Sequence, residues 1–457
     1  MMLASGGCSA VLSFHECNVD SDCGTGDGGA MLFCSDDHMC VGAIPDYLLC
    51  TLSVPDPMTT GGKIPDGALV VGGLFRTSGA NDVNDHTFRD AADLAAQEFR
   101  DANYNIAHVV CDTAGDPAQA ARAYQVVIDR FGAKIIVGPD RSVEVLGMAD
   151  LVKSRGVPIV SPSATNPKIT GLDDNDRIWR TAASDNLQAK VLATLPLSTS
   201  KLDILYESDN TYATGLRDAF VGAFATAGGT VNGNIGFDST DQASIDAAVA
   251  MSSSHQPSYA LLIADFAAPP LIGSVAKAGG LSMTQFLMTD SAKKPSLWGQ
   301  LGGVYTVMSR VRGTGPANPD PSDPSGMAFA VMANNFKNKF MEDPAETSFV
   351  NNSYDAFYVA AFAALSLSPD KRSTDNIVAN LKRMSDPTAQ KVLIGPNGTT
   401  AGVTGLQEGT IDIVGTSGPL DFDDHGDVAS APIEKWSVDT SGASPMFKTD
   451  TIVTPAP

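Results

Sequence analysis

The stretch Lys134–Thr170, KIIVGPDRSVEVLGMADLVKSRGVPIVSPSATNPKIT, alternates short apolar runs with a helical spacing of apolar positions. Lys134–Val137 and Val157–Val160 are brief and β-branched, as strands buried on both faces of a parallel sheet require. Between them Val143, Val145, Leu146, Ala149, Leu151 and Val152 recur at near-helical intervals. Gly156 then predicts the helix C-cap. The turns 138–142 and 161–167 therefore leave the carboxyl ends of two parallel strands, the edge where open α/β sheets bind ligands. Both carry hydroxyls, and Ser142 falls at a helix start, where free N–H groups favour an anion.

The same alternation runs through the chain. ALVVGGLF from Ala68 predicts a strand, Asp85–Ala102 a helix with Phe88, Ala91, Leu94, Ala95 and Phe99 on one side, and Ile106–Cys111 the next strand. Cys111 in that apolar run reads as a buried thiol. Asp116 and Pro117 suit an N-cap and first turn for a helix over Ala118–Phe131. A second α/β series follows: strands at Leu202–Tyr206, Tyr259–Ala264 and Phe286–Met288, with helices at Thr211–Ala227 and Pro269–Ala278. Further helices are predicted at Met327–Phe340, Ser353–Leu367 and Thr374–Met384. Strand alternating with helix means doubly wound parallel sheets, an α/β class. The Pro/Gly/Asp run GTGPANPDPSDPSG (Gly313–Gly326) reads as a crossing linker, and Ser441–Pro457 as a weakly ordered tail.

At 457 residues the chain exceeds one ordinary core, which predicts two lobes and an appendage. Its net charge of −22 argues against nucleic acid and against docking on anionic lipid. No apolar run approaches the ~20 residues that cross a bilayer.

Cysteines crowd the start: Cys8, Cys17, Cys23, Cys34, Cys40 and Cys50, with only Cys111 beyond. Their setting among Gly, Asp and Ser predicts a disulfide-stapled segment in an oxidising compartment, with Cys17, Cys23, Cys34 and Cys40 as candidates and no connectivity legible. Zinc is the rival reading, but C-x-x-C pairs are lacking. MMLASGG before Cys8 resembles the tail of a bacterial lipoprotein signal, which makes Cys8 a lipidation candidate; the alternative is a first disulfide cysteine. DSDCGTGDGG (Asp20–Gly29) departs from a calcium loop, with Gly24 at a ligand position and no closing Glu. Pro55–Asp66 reads as a linker.

Enzyme templates are missing: no G-x-S-x-G elbow, P-loop, H-E-x-x-H or well-formed G-x-G-x-x-G after a strand occurs. The histidines His15, His38, His86, His108, His255 and His425 are scattered. The chain reads as a binding protein, not an enzyme, with no cofactor and no metal.

GVPIVSPSATNPKIT followed by RIWRTAASDNLQA resembles the type I periplasmic binding proteins, the leucine/isoleucine/valine-binding family of ABC importers. LFRTSG, GDPAQAARAYQVVIDRFGAKIIVGP, SYDAFYVAAFAAL and GPLDFDDHGD agree in the family's order over roughly residues 67 to 440, the last piece as a returning strand. The resemblance implies two doubly wound lobes joined by a three-strand hinge, after a Cys-rich segment over 1–54 and a linker over 55–66. The first lobe then takes 67–183 and 314–416, the second 184–313 and 417–440, and the tail 441–457. It also implies a site. Ser142, Ser163, Ala164 and Thr165 match positions that hold an amino acid's carboxylate and ammonium; Tyr212, Phe266 and Asp290 match cleft positions of the second lobe. Asp290 stands where an acid pairs with the ammonium. Many relatives link the turns at Gly115 and Arg141 by a cysteine pair, so Arg141 here brings a cation beside the site. The implied function is an extracytoplasmic monomer, lipid-anchored if Cys8 is acylated, that delivers an amino acid or similar small solute to an ABC importer permease. The alternative is a ligand-sensing module of a signalling system.

Overall fold

The computed structural model describes residues 33–34, 40–41, 46–78, 86–264, 268–294, 297, 305–442 and 444–456. A compact unit over Met1–Thr51 is distinguished from one over Leu52–Pro457. In the former, β1 (Phe33–Cys34) and β2 (Cys40–Val41) pair antiparallel, with Cys34 opposite Cys40 in the backbone register. Cys8, Cys17, Cys23 and the acidic run Asp20–Gly29 lie outside the described residues.

The first sheet contains β3 (Cys50–Val54), β4 (Leu69–Phe75), β5 (Ile106–Asp112), β6 (Ile135–Val137), β7 (Ile159–Ser161) and β8 (Ile178–Arg180), in spatial order β3-β5-β4-β6-β7-β8. β4 to β8 pair in parallel, with Gly72 beside Val109 and Ile136 beside Ile159. Every residue of β4 is buried, as a strand covered by helices on both faces requires. Helices His86–Asp101, Pro117–Asp129 and Ser142–Arg155 form where the spacing predicts, and the Asp116 side chain accepts from Gln119 N–H. Gly156 adopts φ +72° at the C-cap.

Helix Val350–Leu365 returns to this lobe and is buried along its whole length, its polar residues Asn351, Asn352, Ser353 and Asp355 included. Its Phe357, Tyr358 and Phe362 surround Phe99, with ring centroids 4.8–6.3 Å apart.

The second sheet takes β9 (Leu202–Glu207), β10 (Val231–Phe237), β11 (Tyr259–Ile263), β12 (Gln285–Met288), β13 (Val311–Pro316), β16 (Ile433–Asp439) and β17 (Met446–Val453), in the order β10-β9-β11-β12-β13-β16-β17. It is parallel up to β13 and antiparallel from β13 to β17. A small parallel pair, β14 (Gln390–Leu393) with β15 (Ile411–Val414), stands apart. The two parallel-dominated sheets are those of a two-lobe α/β fold.

The structure corrects four readings. Cys111 is no free thiol; it is buried and forms a disulfide with Cys50. The first sheet gains β3 ahead of residue 67, where its lobe was expected to begin; Ser53 Oγ donates to Asp93 Oδ2 (2.5 Å), whose other oxygen meets His108 Nδ1 (2.7 Å). The expected loose tail is instead the edge strand β17, whose pairing with β16 supplies the backbone bonds its exposed side chains do not. GPLDFDDHGD forms only isolated bridges, at Pro419 and Phe422, because Asp427 is drawn into an ion pair and the chain turns there; regular strand resumes at Ile433.

Candidate functional site

A cleft of about 130 Å³ lies where the carboxyl ends of β4, β6 and β7 face the loops after β9 and β12. It falls below the ~300–1,000 Å³ of pockets for drug-sized ligands, a size for a small metabolite.

On the first lobe Arg76 follows β4, and Asp140, Arg141 and Ser142 follow β6. Gly138 makes that turn possible: at φ +96° an added Cβ would lie 2.1 Å from the Leu74 carbonyl oxygen. Arg141 caps the helix, its backbone N–H donating to Glu144 Oε2 (3.2 Å), so Ser142 sits in the first turn beside unsatisfied N–H groups. Ser142 Oγ accepts from Asn166 N–H (3.2 Å), and Ser163 Oγ donates to the Asp140 carbonyl (2.7 Å). Burial, then the Asp140 carboxylate, push Glu144 up to about 8, against the Thr113 side chain and Arg141. An added Cβ at Gly115 would lie 3.3 Å from Arg141 Cδ, so the two turns that the family's cysteine pair would link are adjacent here.

Behind this wall stands Arg180 at the end of β8, fully buried. Its guanidinium donates to the carbonyls of Ala164 and Asn166 (both 3.1 Å) and forks onto Asp427, through Nε to Oδ1 at 2.6 Å and through a second bond to Oδ2. Thr170 Oγ1 also donates to Asp427 (2.6 Å). The turn 161–167 is thus fixed from beneath by a charge in the RIWR segment.

On the second lobe Asn210 and Tyr212 open the helix Thr211–Thr226, and Asp290, Ser291, Lys293 and Lys294 follow β12. Asp290 is buried; its Oδ1 accepts from Tyr212 Oη and Gln188 Nε2, each at 2.7 Å. Burial, followed by the Asp290 and Asp185 carboxylates, holds the Tyr212 phenol well above its ordinary range, so it stays a donor. Burial, then Asp290, likewise raises the Asp185 carboxyl well above the usual range. Lys293 pairs with Glu434 of β16, whose other oxygen accepts from Thr449 of β17 (2.6 Å).

The lobes meet at the floor. Asn166 Nδ2 donates to the Thr211 carbonyl (2.7 Å), and an added Cβ at Gly215 would stand 2.3 Å from that nitrogen. The crossing residue Phe349 lines the cleft at φ +69°, a left-handed conformation that costs a bulky side chain energy.

The cleft brings together Arg141, Ser142, Ser163, Tyr212 and Asp290 among the residues marked from the sequence. Ala164 is wholly buried behind it, and Thr165 lines a separate small hollow at the hinge with Gln188 and Phe349. Phe266 lies outside the described residues. Sequence reasoning missed Arg76, Asp140, Lys293 and Lys294. The rule that ligands meet the carboxyl ends of strands would have found Arg76 after LVVGGLF and the lysines after QFLM.

The model of the periplasmic binding protein family matches residues 68–409. The chain belongs to that family. Periplasmic binding proteins of this kind are extracytoplasmic solute-binding components of transporters, not enzymes. A curated relative, the Leu/Ile/Val-binding protein homolog 3 of Brucella melitensis, is 33% identical over 123 residues, 26% of this chain and 32% of that protein. The match thus spans about a third of the curated relative's length. Among solved structures, the leucine binding protein LivK of Thermotoga maritima superposes with TM-score 0.66 at 20% identity, covering 85% of this chain and 99% of that one. A solute binding protein from R. palustris in complex with benzoate gives TM-score 0.65 at 14% identity, covering 85% and 97%. These likenesses carry the two-lobed fold. Among the described residues, no helix of this binding protein is long and apolar enough to cross a membrane.

Proposed function

We propose that this chain captures an amino acid or similar small polar solute in the cleft and hands it to the permease of an ABC importer. The observation that carries the reading is a cleft with complementary walls. A helix N-terminus with Ser142, Ser163 and Arg141 suits a carboxylate, and the buried Asp290 opposite suits an ammonium. A solute touching both walls favours the closed arrangement only through the contacts it gains there. Asn166 and Gly215 let the lobes meet closely enough for those contacts to form at once. The relatives named for leucine, isoleucine and valine, and the benzoate-bound structure, share with this reading a ligand that carries a carboxylate. The protein works as a monomer outside the cytoplasm, held to a membrane through acylated Cys8.

A thermal-shift screen of the full chain over amino acids, amides and carboxylates tests capture. Ligand at ~100-fold its Kd adds about 2.7 kcal/mol of stability, a shift of several degrees; a flat response to every compound would reject capture. Mass spectrometry of the protein made in a bacterium tests the anchor, which is rejected if Cys8 is found unmodified or in a disulfide.

A further inference from the structure

The start of helix Val350–Leu365 carries a polar face inside a core, away from the cleft. Asn351, Asn352 and Asp355 are all buried there. A buried carboxylate is tolerated only when its oxygens are well bonded, and those of Asp355 are. Its Oδ1 accepts from the N–H and hydroxyl of Thr416 (2.8 and 2.7 Å), and its Oδ2 from the N–H and hydroxyl of Ser417 (2.8 and 2.6 Å). Asn351 Nδ2 adds a bond to the Thr416 carbonyl (3.2 Å). Gly415 leaves room for this clamp, since an added Cβ would stand 2.4 Å from Asp355 Oδ2. Beside it, Asn352 Nδ2 donates to the Thr181 carbonyl (2.7 Å), and the Thr181 hydroxyl donates back to the Asn352 carbonyl (2.8 Å).

These partners stand where the chain passes between the two sheets. It leaves the first sheet after Arg180, leaves the second after Pro316 and re-enters the second at Ile433. Thr181 opens the first passage. The turn 415–418 abuts the third: Gly418 has φ +134°, which favours glycine, and a Cβ there would lie 3.0 Å from Pro432 Cδ. The Pro432 carbonyl accepts in turn from Ala317 N–H of the second passage (3.0 Å). One helix turn of the first lobe is thus linked to the first passage directly, to the third through the turn 415–418, and to the second through Pro432.

We propose that Asp355 is a positioning residue for lobe closure: by clamping the turn 415–418 it seats Pro432 and fixes where the three passages bend. Hinges are a few residues that absorb the change in backbone angles, and a seat held still gives that change one axis. Asp355 does not line the cleft, so it acts on a solute through this motion alone. The capture reading supplies the purpose of the motion. The motion itself is measured without a solute, so failure of capture and failure of this inference are separate results.

Double electron–electron resonance on the full, solute-free chain reads the motion. Spin labels go, through unnatural amino acids, on Met251 of the second lobe's helix Gln242–His255 and Met327 of the first lobe's helix Pro324–Phe340, both exposed. Asp355→Asn turns one acceptor oxygen into a donor and so undoes one pair of the bonds, whereas Ser417→Ala removes a single bond. Both should broaden or shift the interlobe distance distribution, Asp355→Asn more than Ser417→Ala. Ser353→Ala breaks a bond from the same helix turn to the Phe88 carbonyl (2.7 Å), inside the first lobe, and should leave the distribution unchanged. A wild-type distribution in Asp355→Asn, or in Ser417→Ala if Asp355→Asn does not fold, would overturn the inference. An equal broadening in Ser353→Ala would overturn it too, by showing a general loosening of the lobe.

Discussion

The two walls of the cleft are built in opposite ways. On the first lobe, the site turns join strands of one parallel sheet to a capped helix, and the fork of Arg180 on Asp427 holds the second turn from beneath. On the second lobe, the site residues stand on a helix start and an irregular loop, tied by side chains to distant segments: Asp290 to Gln188 and Tyr212, Lys293 to Glu434. The first wall is held through its backbone, the second through side-chain partners. Substitutions should therefore unfold the first wall before they change its chemistry, and should disarm the second without unfolding it.

The largest effect expected is on the first wall. Asp427→Ala leaves the buried Arg180 charge without its carboxylate, and breaking a buried pair in this way typically costs about 3–5 kcal/mol. Urea unfolding monitored by circular dichroism should show a midpoint well below wild type. A midpoint within error of wild type would mean that the turn 161–167 does not depend on the fork.

Asp290→Ala should act on the second wall with little loss of stability and a large loss of affinity. Removing one member of a desolvated charge pair costs about 2–5 kcal/mol, so binding of an ammonium-bearing solute should weaken by roughly thirty-fold or more. Calorimetry gives the affinity and a melting curve the stability. A protein that melts far below wild type but binds normally would invert the comparison.

Glu144→Gln sharpens the first wall by pH. The folded carboxyl is raised to about 8 by burial and by Asp140, above its value of 4.5 in an unfolded chain. The folded state therefore holds this proton more tightly, and wild-type stability contributed by the group falls as pH rises from about 4.5 to about 8. Glutamine keeps a carbonyl acceptor for Arg141 N–H and does not titrate. The variant should match wild type near pH 4.5 and exceed it at pH 8 by at least about 1.4 kcal/mol, the equivalent of one unit. Parallel pH profiles of melting temperature for the two proteins would contradict this.

Asn166→Ala is the mildest test, at the floor where the walls meet. It removes the amide bond to the Thr211 carbonyl, with a net cost of about 0.5–1.5 kcal/mol. Affinity should fall by less than in Asp290→Ala, and an unchanged affinity would show that this contact plays no part in closure.

The same contrast explains how much could be read in advance. Gly156, Asp116 and Pro117 announce helix ends through local backbone rules, and the structure places caps at each. Strand β3 stayed hidden because CTLSV follows a Cys-rich stretch whose composition suggests a segment apart, and its place at the sheet edge depends on β5, distant in sequence. Strand β10, VNGNIGF, carries glycines and asparagines that weaken any strand signal, and it too is an edge strand with alternate residues exposed. Lys293 and Arg180 show no function in their own neighbourhoods. Each gains its role from an acid more than a hundred positions away, Glu434 and Asp427.

The central claim is that one solute is held by both walls. Titration of wild type, Arg141→Ala and Asp290→Ala with whichever compound of the thermal-shift screen binds wild type most tightly tests it directly. Arg141 represents the first wall and Asp290 the second. The account predicts that both variants lose about ten-fold or more in affinity. Wild-type affinity in either variant would mean that a single wall suffices and that the solute is not clasped between the lobes.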